Sequence, residues 1–330
     1  MIPREIVKAA IEFRSPPRFP LDLPERWGND FAYAVIEPHP DHRPYGDYTE
    51  ELDEWGALWK NLGICNLGEV AEPPLTDWAD FEALNIPDIR DEHRWQGVKQ
   101  AREKAGDKFL IAPGVSLYER VHFIRGLQNT WMDIYTNPDD LCRLIDVLAD
   151  MNVYAIERLA KYDVDAIMWP DDWGLQDRLM IDPEKWREIW LPRYRRVWQT
   201  ARNAGVATFL HSCGNIVDIL DDMIEAGLQV IQMDQQENMG LELLGKRFGG
   251  RITFHAPVDI QNTMARGNPD EIRAYCREMV RHLARPEGGF IPKYYPDPRG
   301  AGHTQEAIDA MCDEFVKLGE SPGLSPDCGS

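Results

Sequence analysis

Short apolar runs recur from about residue 108 onward, each stopped by a proline, glycine or acidic residue and separated by stretches with helical spacing. Phe109–Pro113, Ala166–Trp169, Val206–Leu210, Val230–Asp234, Ile252–His255 and Gly289–Pro292 read as buried parallel strands, because both faces are apolar. Between them lie helix starts of one chemical type. Asn137-Pro138, Asp182-Pro183 and Asn268-Pro269 place a capping side chain before a proline at the first helical position, and Thr304 is placed to cap a last helix. Ile216–Ala226 and Leu241–Phe248 supply two more helices. The stretch from Asp182 carries Trp186, Trp190, Tyr194 and Trp198 at four-residue intervals, a core-facing stripe on one helix. Strand following helix at this rhythm predicts an α/β domain, either a closed barrel or an open doubly wound sheet.

Residues 1–105 break the rhythm. They are rich in proline, acidic residues and tryptophan, with a short strand expected at Phe31–Ile36. Disordered segments are poor in aromatics, so this stretch is expected to pack as an extension on a body formed by residues 106–330.

The strand ends gather polar residues. In order they are Asp171 and Asp172, His211 and Cys213, Asp234, His255 and Asp259, then Tyr294, Tyr295 and Asp297. In a barrel these converge on one mouth; in an open sheet they spread along a line. His211 and Cys213 are two residues apart, so both side chains face the same way, and an imidazole with a thiolate suits zinc. Adjacent Asp171 and Asp172 must face opposite ways: one enters the mouth, the other braces the following loop. Asp234 reads equally as a site residue or a cap, and His255 as a ligand or a satisfied core histidine.

Fifty-six acidic residues against 36 basic give a net charge of −20, which argues against nucleic acid or an anionic membrane surface as partner. Six scattered cysteines, and a start without an apolar leader, lead us to expect free thiols and a cytoplasmic protein. No Gly-rich nucleotide motif follows a strand. The eleven tryptophans supply core and also suit an aromatic-lined pocket, with Trp169, Trp173, Tyr294 and Tyr295 placed to wall a ring.

Asp53-Glu-Trp-Gly56, Pro73-Pro-Leu-Thr-Asp77-Trp78, Arg125-Gly126, Asp171-Asp-Trp-Gly174, His211-Ser-Cys-Gly-Asn215 and Val258-Asp-Ile-Gln261 together resemble the uroporphyrinogen decarboxylase superfamily. The first two segments resemble its corrinoid-dependent methyltransferase branch. The resemblance implies a single (β/α)8 TIM barrel and methyl transfer between a small methylated substrate, an O-methyl aromatic being favoured, and the cobalt of a corrinoid. The corrinoid would arrive on a separate protein, since no Asp-x-His-x-x-Gly anchoring motif occurs here. By the same analogy Asp172 is the inward carboxylate, acting with Asp171 and His211 in catalysis, and Asp234 joins the aromatic residues in substrate binding. Zinc-binding members resemble the chain at His211 and Cys213 but add a third ligand, usually cysteine, after the last strand. Here that stretch is Phe290–Asp297, without a thiol. The third ligand must then come from Asp171, Asp172, Asp234, His255 or Asp297, and His255 is the first choice. Decarboxylases of the superfamily carry an Arg-Gln-Ala-Gly-Arg block; Arg14-Ser-Pro-Pro-Arg18 keeps only the two arginines. Decarboxylation, or ligand binding without catalysis, are the alternatives.

Overall fold

The computed structural model describes residues 1–39, 50–60, 68–296, 298 and 300–320. Its strands, in chain order, are β1 (Phe31–Tyr33), β2 (Glu50–Leu52), β3 (Leu58–Lys60), β4 (Glu69–Glu72), β5 (Phe109–Pro113), β6 (Ala166–Pro170), β7 (Ala207–His211), β8 (Val230–Gln232), β9 (Thr253–Ala256) and β10 (Phe290–Pro292). Seven of them form one sheet in the order β1-β5-β6-β7-β8-β9-β10, every neighbouring pair parallel. β2, β3 and β4 make a small antiparallel sheet apart from it. The strand expected at Phe31–Ile36 is thus an edge of the main sheet, although it lies within the first 105 residues.

The family resemblance implies eight strands in a closed barrel; among the described residues the main sheet has seven. Its two edges nevertheless reach the same residue. The Asp22 N–H donates to the Pro292 carbonyl and the Tyr294 N–H to the Asp22 carbonyl, while a bridge joins Asp22 to Asn29, just before β1. Pro20 and Pro24 flank this segment, and without their N–H groups the ladder cannot extend into a strand.

Side chains alternate across the curled sheet. On β7 Phe209 faces inward, against Phe109, Phe31 and Ile291, while Leu210 packs outward against helices. At the amino ends of the strands, Val7 and Ile11 of the helix Pro3–Ile11 plug this inner cluster. That helix is tied down by Arg4 and Lys8, 2.5 and 2.8 Å from the buried Asp165 carboxylate that precedes β6. The interior therefore opens at the carboxyl ends. Among the described residues no helix is long and apolar enough to cross a membrane.

The aromatic stripe is buried as its spacing predicts, with Trp186, Trp190, Tyr194 and Trp198 all inaccessible. It is carried on two helices, Pro183–Ile189 and Leu191–Asn203, not one. Pro192 has no N–H for the carbonyl four residues earlier, so the helix breaks at Trp190. The expected caps at Asp182, Asn268 and Thr304 each accept a backbone N–H of the first turn. Asn137 stands at its helix start without doing so; its amide donates to Asp133 and Thr136.

The loops after β6 and β7 meet backbone to backbone. A Cβ on Gly174 would lie 2.3 Å from the Asn215 nitrogen, and one on Gly214 would lie 2.2 Å from the Gly174 carbonyl carbon. Only glycine at both positions permits this approach, and Gly214 also has a left-handed φ of +74°. Because Gly174 is not left-handed, Gly174→Ala tests the steric contact alone. It should cost about 1–3 kcal/mol as overpacking, read as a lowered midpoint in denaturant titration with unchanged slope; an unshifted midpoint would show that the loops can part freely.

Candidate metal and substrate site

The ladder pairs Pro170 with His211 at the ends of β6 and β7, and the contact at Gly174 and Gly214 keeps the loops that follow together. His211 is the last residue of β7 and has the inward parity of Phe209, so its ring enters the mouth. Cys213 follows on the same side. Its Sγ is 3.6 Å from His211 Nε2, and Nε2 is 3.4 Å from Oδ1 of Asp172. The Cys213 N–H also donates to Asp172 Oδ1 at 2.7 Å. One donor atom from each of the three residues lies within 4.8 Å of the other two.

Asp171 and Asp172 part as adjacent extended residues must. Asp171 is wholly buried and points away from the mouth, accepting the backbone N–H groups of Leu117, Tyr118 and Glu119 at 2.8–3.0 Å. The Tyr194 hydroxyl donates to it at 2.6 Å, and that hydroxyl accepts the Trp173 indole N–H. Burial pushes the Asp171 carboxyl up to about 6, against these hydrogen bonds, which favour the charged form.

Asp171 anchors the start of the helix Glu119–Arg125, and so brings in a residue that the sequence reading missed. The Glu119 carboxyl is pushed up to about 8 by burial and by the charges of Asp172 and Asp171, with the Asp172 backbone N–H offsetting part of the rise. Glu119 follows β5 at some distance in sequence; nothing local marks it, since only the Asp171 contacts bring it to the end of β6.

A chain of polar groups supports His211. Its Nδ1 meets Gln232 Oε1 at the end of β8, the register partner of His211 across the sheet. Gln232 Nε2 donates to Asp234 Oδ1 at 2.8 Å, and Lys293 Nζ donates to the same oxygen at 2.8 Å. Burial works to raise the Asp234 carboxyl, but Lys293 and the other partners hold it below the ordinary carboxylate range. Gln232 and Lys293 are further residues that sequence reasoning overlooked; the inward parity shared by His211 and Gln232 was the available signal.

Several expected site residues lie elsewhere. His255 does not complete the His211–Cys213 pair: its Nε2 is 3.0 Å from Asp22 Oδ2, and its ring stacks on Phe31 at a centroid distance of 5.8 Å. Gln232 separates it from His211 across the sheet. Asp172 takes the third place instead. Trp169 and Trp173 do not wall the mouth. Trp169 points outward, donating its indole N–H to Asn152 at 2.7 Å, and Trp173 lies in the aromatic core, 3.7 Å centroid to centroid from Tyr118. Both follow from parity and size, because a large apolar ring gains most between sheet and helices. Lys293 Nζ lies 5.7 Å from the Tyr295 ring centre, and Tyr294 is packed partly against the outer core. Asp259 caps the turn Gln261–Thr263, and Asp297 lies outside the described residues.

The three donors fit zinc. Ligands about 2.0–2.3 Å from a common tetrahedral centre are about 3.3–3.8 Å from one another, a range that contains the observed 3.4 and 3.6 Å. With Nδ1 engaged by Gln232, it is Nε2 that faces the other two donors. Burial, then the charges of Asp172 and Asp234, push the bare Cys213 thiol well up, so its deprotonation calls for a cation.

Residues 66–293 match the family model described as uroporphyrinogen decarboxylase (URO-D), and the chain belongs to that family. It is 26% identical over 190 residues to methylcobamide:CoM methyltransferase MtbA of Methanosarcina mazei, covering 56% of this chain and 53% of that protein. It is 24% identical over 231 residues to a uroporphyrinogen decarboxylase of Nocardia farcinica, covering 67% of this chain and 62% of that protein. The matched stretch thus spans about half the length of the first of these relatives. A methyltransferase from Methanosarcina mazei has the same fold, with a TM-score of 0.70 at 15% identity over 96% of this chain and 99% of that chain.

The two aspartates separate by substitution. Asp171→Asn turns an amide toward donors that need an acceptor, and should lower stability by about 2–4 kcal/mol. In metal-free protein Asp172→Asn should leave the melting temperature within about 2 °C. Equal loss of stability in the two variants would contradict the opposite orientations. Elemental analysis of the untagged protein should find about one zinc per chain, lost on dialysis of Cys213→Ser; a metal content unchanged by that substitution would remove Cys213 from the site.

Proposed function

We propose, taking membership of the uroporphyrinogen decarboxylase family as the premise, that this chain is a corrinoid-dependent methyltransferase whose Asp172, His211 and Cys213 hold a zinc ion. The observation that carries the reading is the convergence of those three donor atoms at the mouth of the sheet. The similarity to a protein named as a methylcobamide:CoM methyltransferase supports the same chemistry. When bound, zinc would supply a Lewis acid for the substrate's oxygen or sulfur, with the corrinoid on a partner protein as the methyl carrier.

The chain's own residues bind, orient and manage a proton. Gln232 directs His211, and the Gly174–Gly214 contact holds Asp172 against Cys213. In the metal-free protein Glu119, whose carboxyl is pushed up to about 8, holds a proton beside Asp172, a proton easier to release with zinc bound. It can release that proton to the heteroatom as the methyl group departs, or recover it in the reverse direction. The substrate is a small methylated oxygen or sulfur compound. An aromatic ether would rest on Tyr295, since Trp169 and Trp173 are in the core and Tyr294 packs partly against it.

The decarboxylase reading has less support at the residues that would bind acidic side arms. Arg18 forms a two-point pair with the buried Asp30 at 2.7 and 2.8 Å, and Arg14 is paired with Glu12. Both arginines are thus occupied by internal carboxylates.

Incubation with a reduced corrinoid protein and a panel of methyl ethers, methyl thioethers and methylamines should yield methyl-Co(III), seen by its visible spectrum. Glu119→Gln should slow turnover by about 10²-fold, a usual acid–base contribution, and Cys213→Ser should abolish it. No methyl-Co(III) in either direction, together with CO2 release from tetrapyrrole carboxylates, would replace this reading with decarboxylation.

A further inference from the structure

We propose that Lys293, Asp234 and Gln232 form a relay that sets the tautomer of His211, making Nε2 the bare nitrogen that faces Asp172 and Cys213. The relay rests on the metal reading for its purpose but not for its geometry. All three residues are nearly inaccessible, so water cannot substitute for a missing partner at low cost.

Each link constrains the next. Lys293 can only donate, and its Nζ lies 2.8 Å from Asp234 Oδ1, which keeps that oxygen an acceptor. Gln232 approaches the same oxygen at 2.8 Å and must present its NH2 end there, because its carbonyl end would bring two oxygens together. With the amide oriented in this way, Oε1 is left facing His211 Nδ1. A neutral imidazole has one N–H and one lone pair, so Nδ1 must carry the hydrogen and Nε2 the lone pair. An amide is symmetric in shape and would otherwise sit either way round; the ammonium at the far end of the chain breaks that symmetry. Asp234 is therefore a positioning residue, outside the three donors that converge within 4.8 Å. The last strand, which lacks the thiol expected of a zinc-binding relative, contributes through Lys293 instead.

The test reads the tautomer directly. In metal-free protein labelled with 15N-histidine at pH 8, with His211→Gln used to assign the signal, His211 should show a protonated Nδ1 and a bare Nε2. Asp234→Asn retains an acceptor oxygen and should keep that pattern, with zinc and cobalt(II) dissociation constants within about threefold of the parent. Asp234→Leu combined with Lys293→Leu removes both buried charges together. It should mix the tautomers and weaken both metals about 10–100-fold, the usual cost of losing a partner behind a ligand. Should that double variant fail to fold, Gln232→Leu leaves the Asp234–Lys293 pair intact and should give the same mixing and weakening. Retention of the parental pattern in either of these variants would overturn the relay. A loss in Asp234→Asn as large as in the double variant would also overturn it, marking Asp234 as a direct ligand. If the parent protein binds neither metal, the metal reading fails, while the nitrogen pattern still decides the relay.

Discussion

The buried carboxylate of Asp171 holds the mouth together. It accepts three consecutive backbone N–H groups from Leu117–Glu119 and a hydroxyl from Tyr194, and so joins the end of β6 to the loop after β5 and to the helix Leu191–Asn203. A carboxylate is costly to bury unless its lone pairs are used, and here four donors use them. With Asp171 committed to the outside of the sheet, the alternation of an extended chain sends Asp172 to the inside. The same contacts deliver Glu119 to the site. One interaction thus decides the direction of two acidic residues and the position of a third.

The site is built in layers of decreasing polarity. The donors Asp172, His211 and Cys213 sit at the rim, Gln232, Asp234 and Lys293 stand behind them, and Asp22 with His255 follows toward the interior. Beneath lies the apolar cluster plugged by Val7 and Ile11. This order suits a centre that must hold a charged group while admitting a small molecule from one side. It also gives His255 a structural role, since with Asp22 and Tyr33 it occupies the seam where the edges of the sheet approach.

Much of this could be read along the chain. Two-faced apolar runs located β5 through β10 to within a residue or two, and Asp182, Asn268 and Thr304 marked helix starts, because strand burial and capping are local properties. The pairing of His211 with Cys213 and the opposed directions of Asp171 and Asp172 also followed from the two-residue period of extended backbone. Trp186, Trp190, Tyr194 and Trp198 announced a buried stripe through their spacing, although Pro192 divides the helix that carries it.

What the sequence left open depends on distances between strands. The sequence favoured His255 over Asp172 as the partner for His211 and Cys213. The choice falls to the pairing of β6 with β7 and the meeting of their loops at Gly174 and Gly214, while Gln232 separates His255 from them. Trp169 and Trp173 looked suited to a pocket because they lie beside the site in sequence; parity and the gain from burying large rings turned them to the core. Glu119 and Lys293 carry no local mark, and Gln232 only its inward parity, since each acquires its role from neighbours brought close by the folded sheet. Local backbone periodicity thus determined which residues could face the mouth, and tertiary packing decided which of them meet, because a ligand set is a matter of a few ångströms across strands.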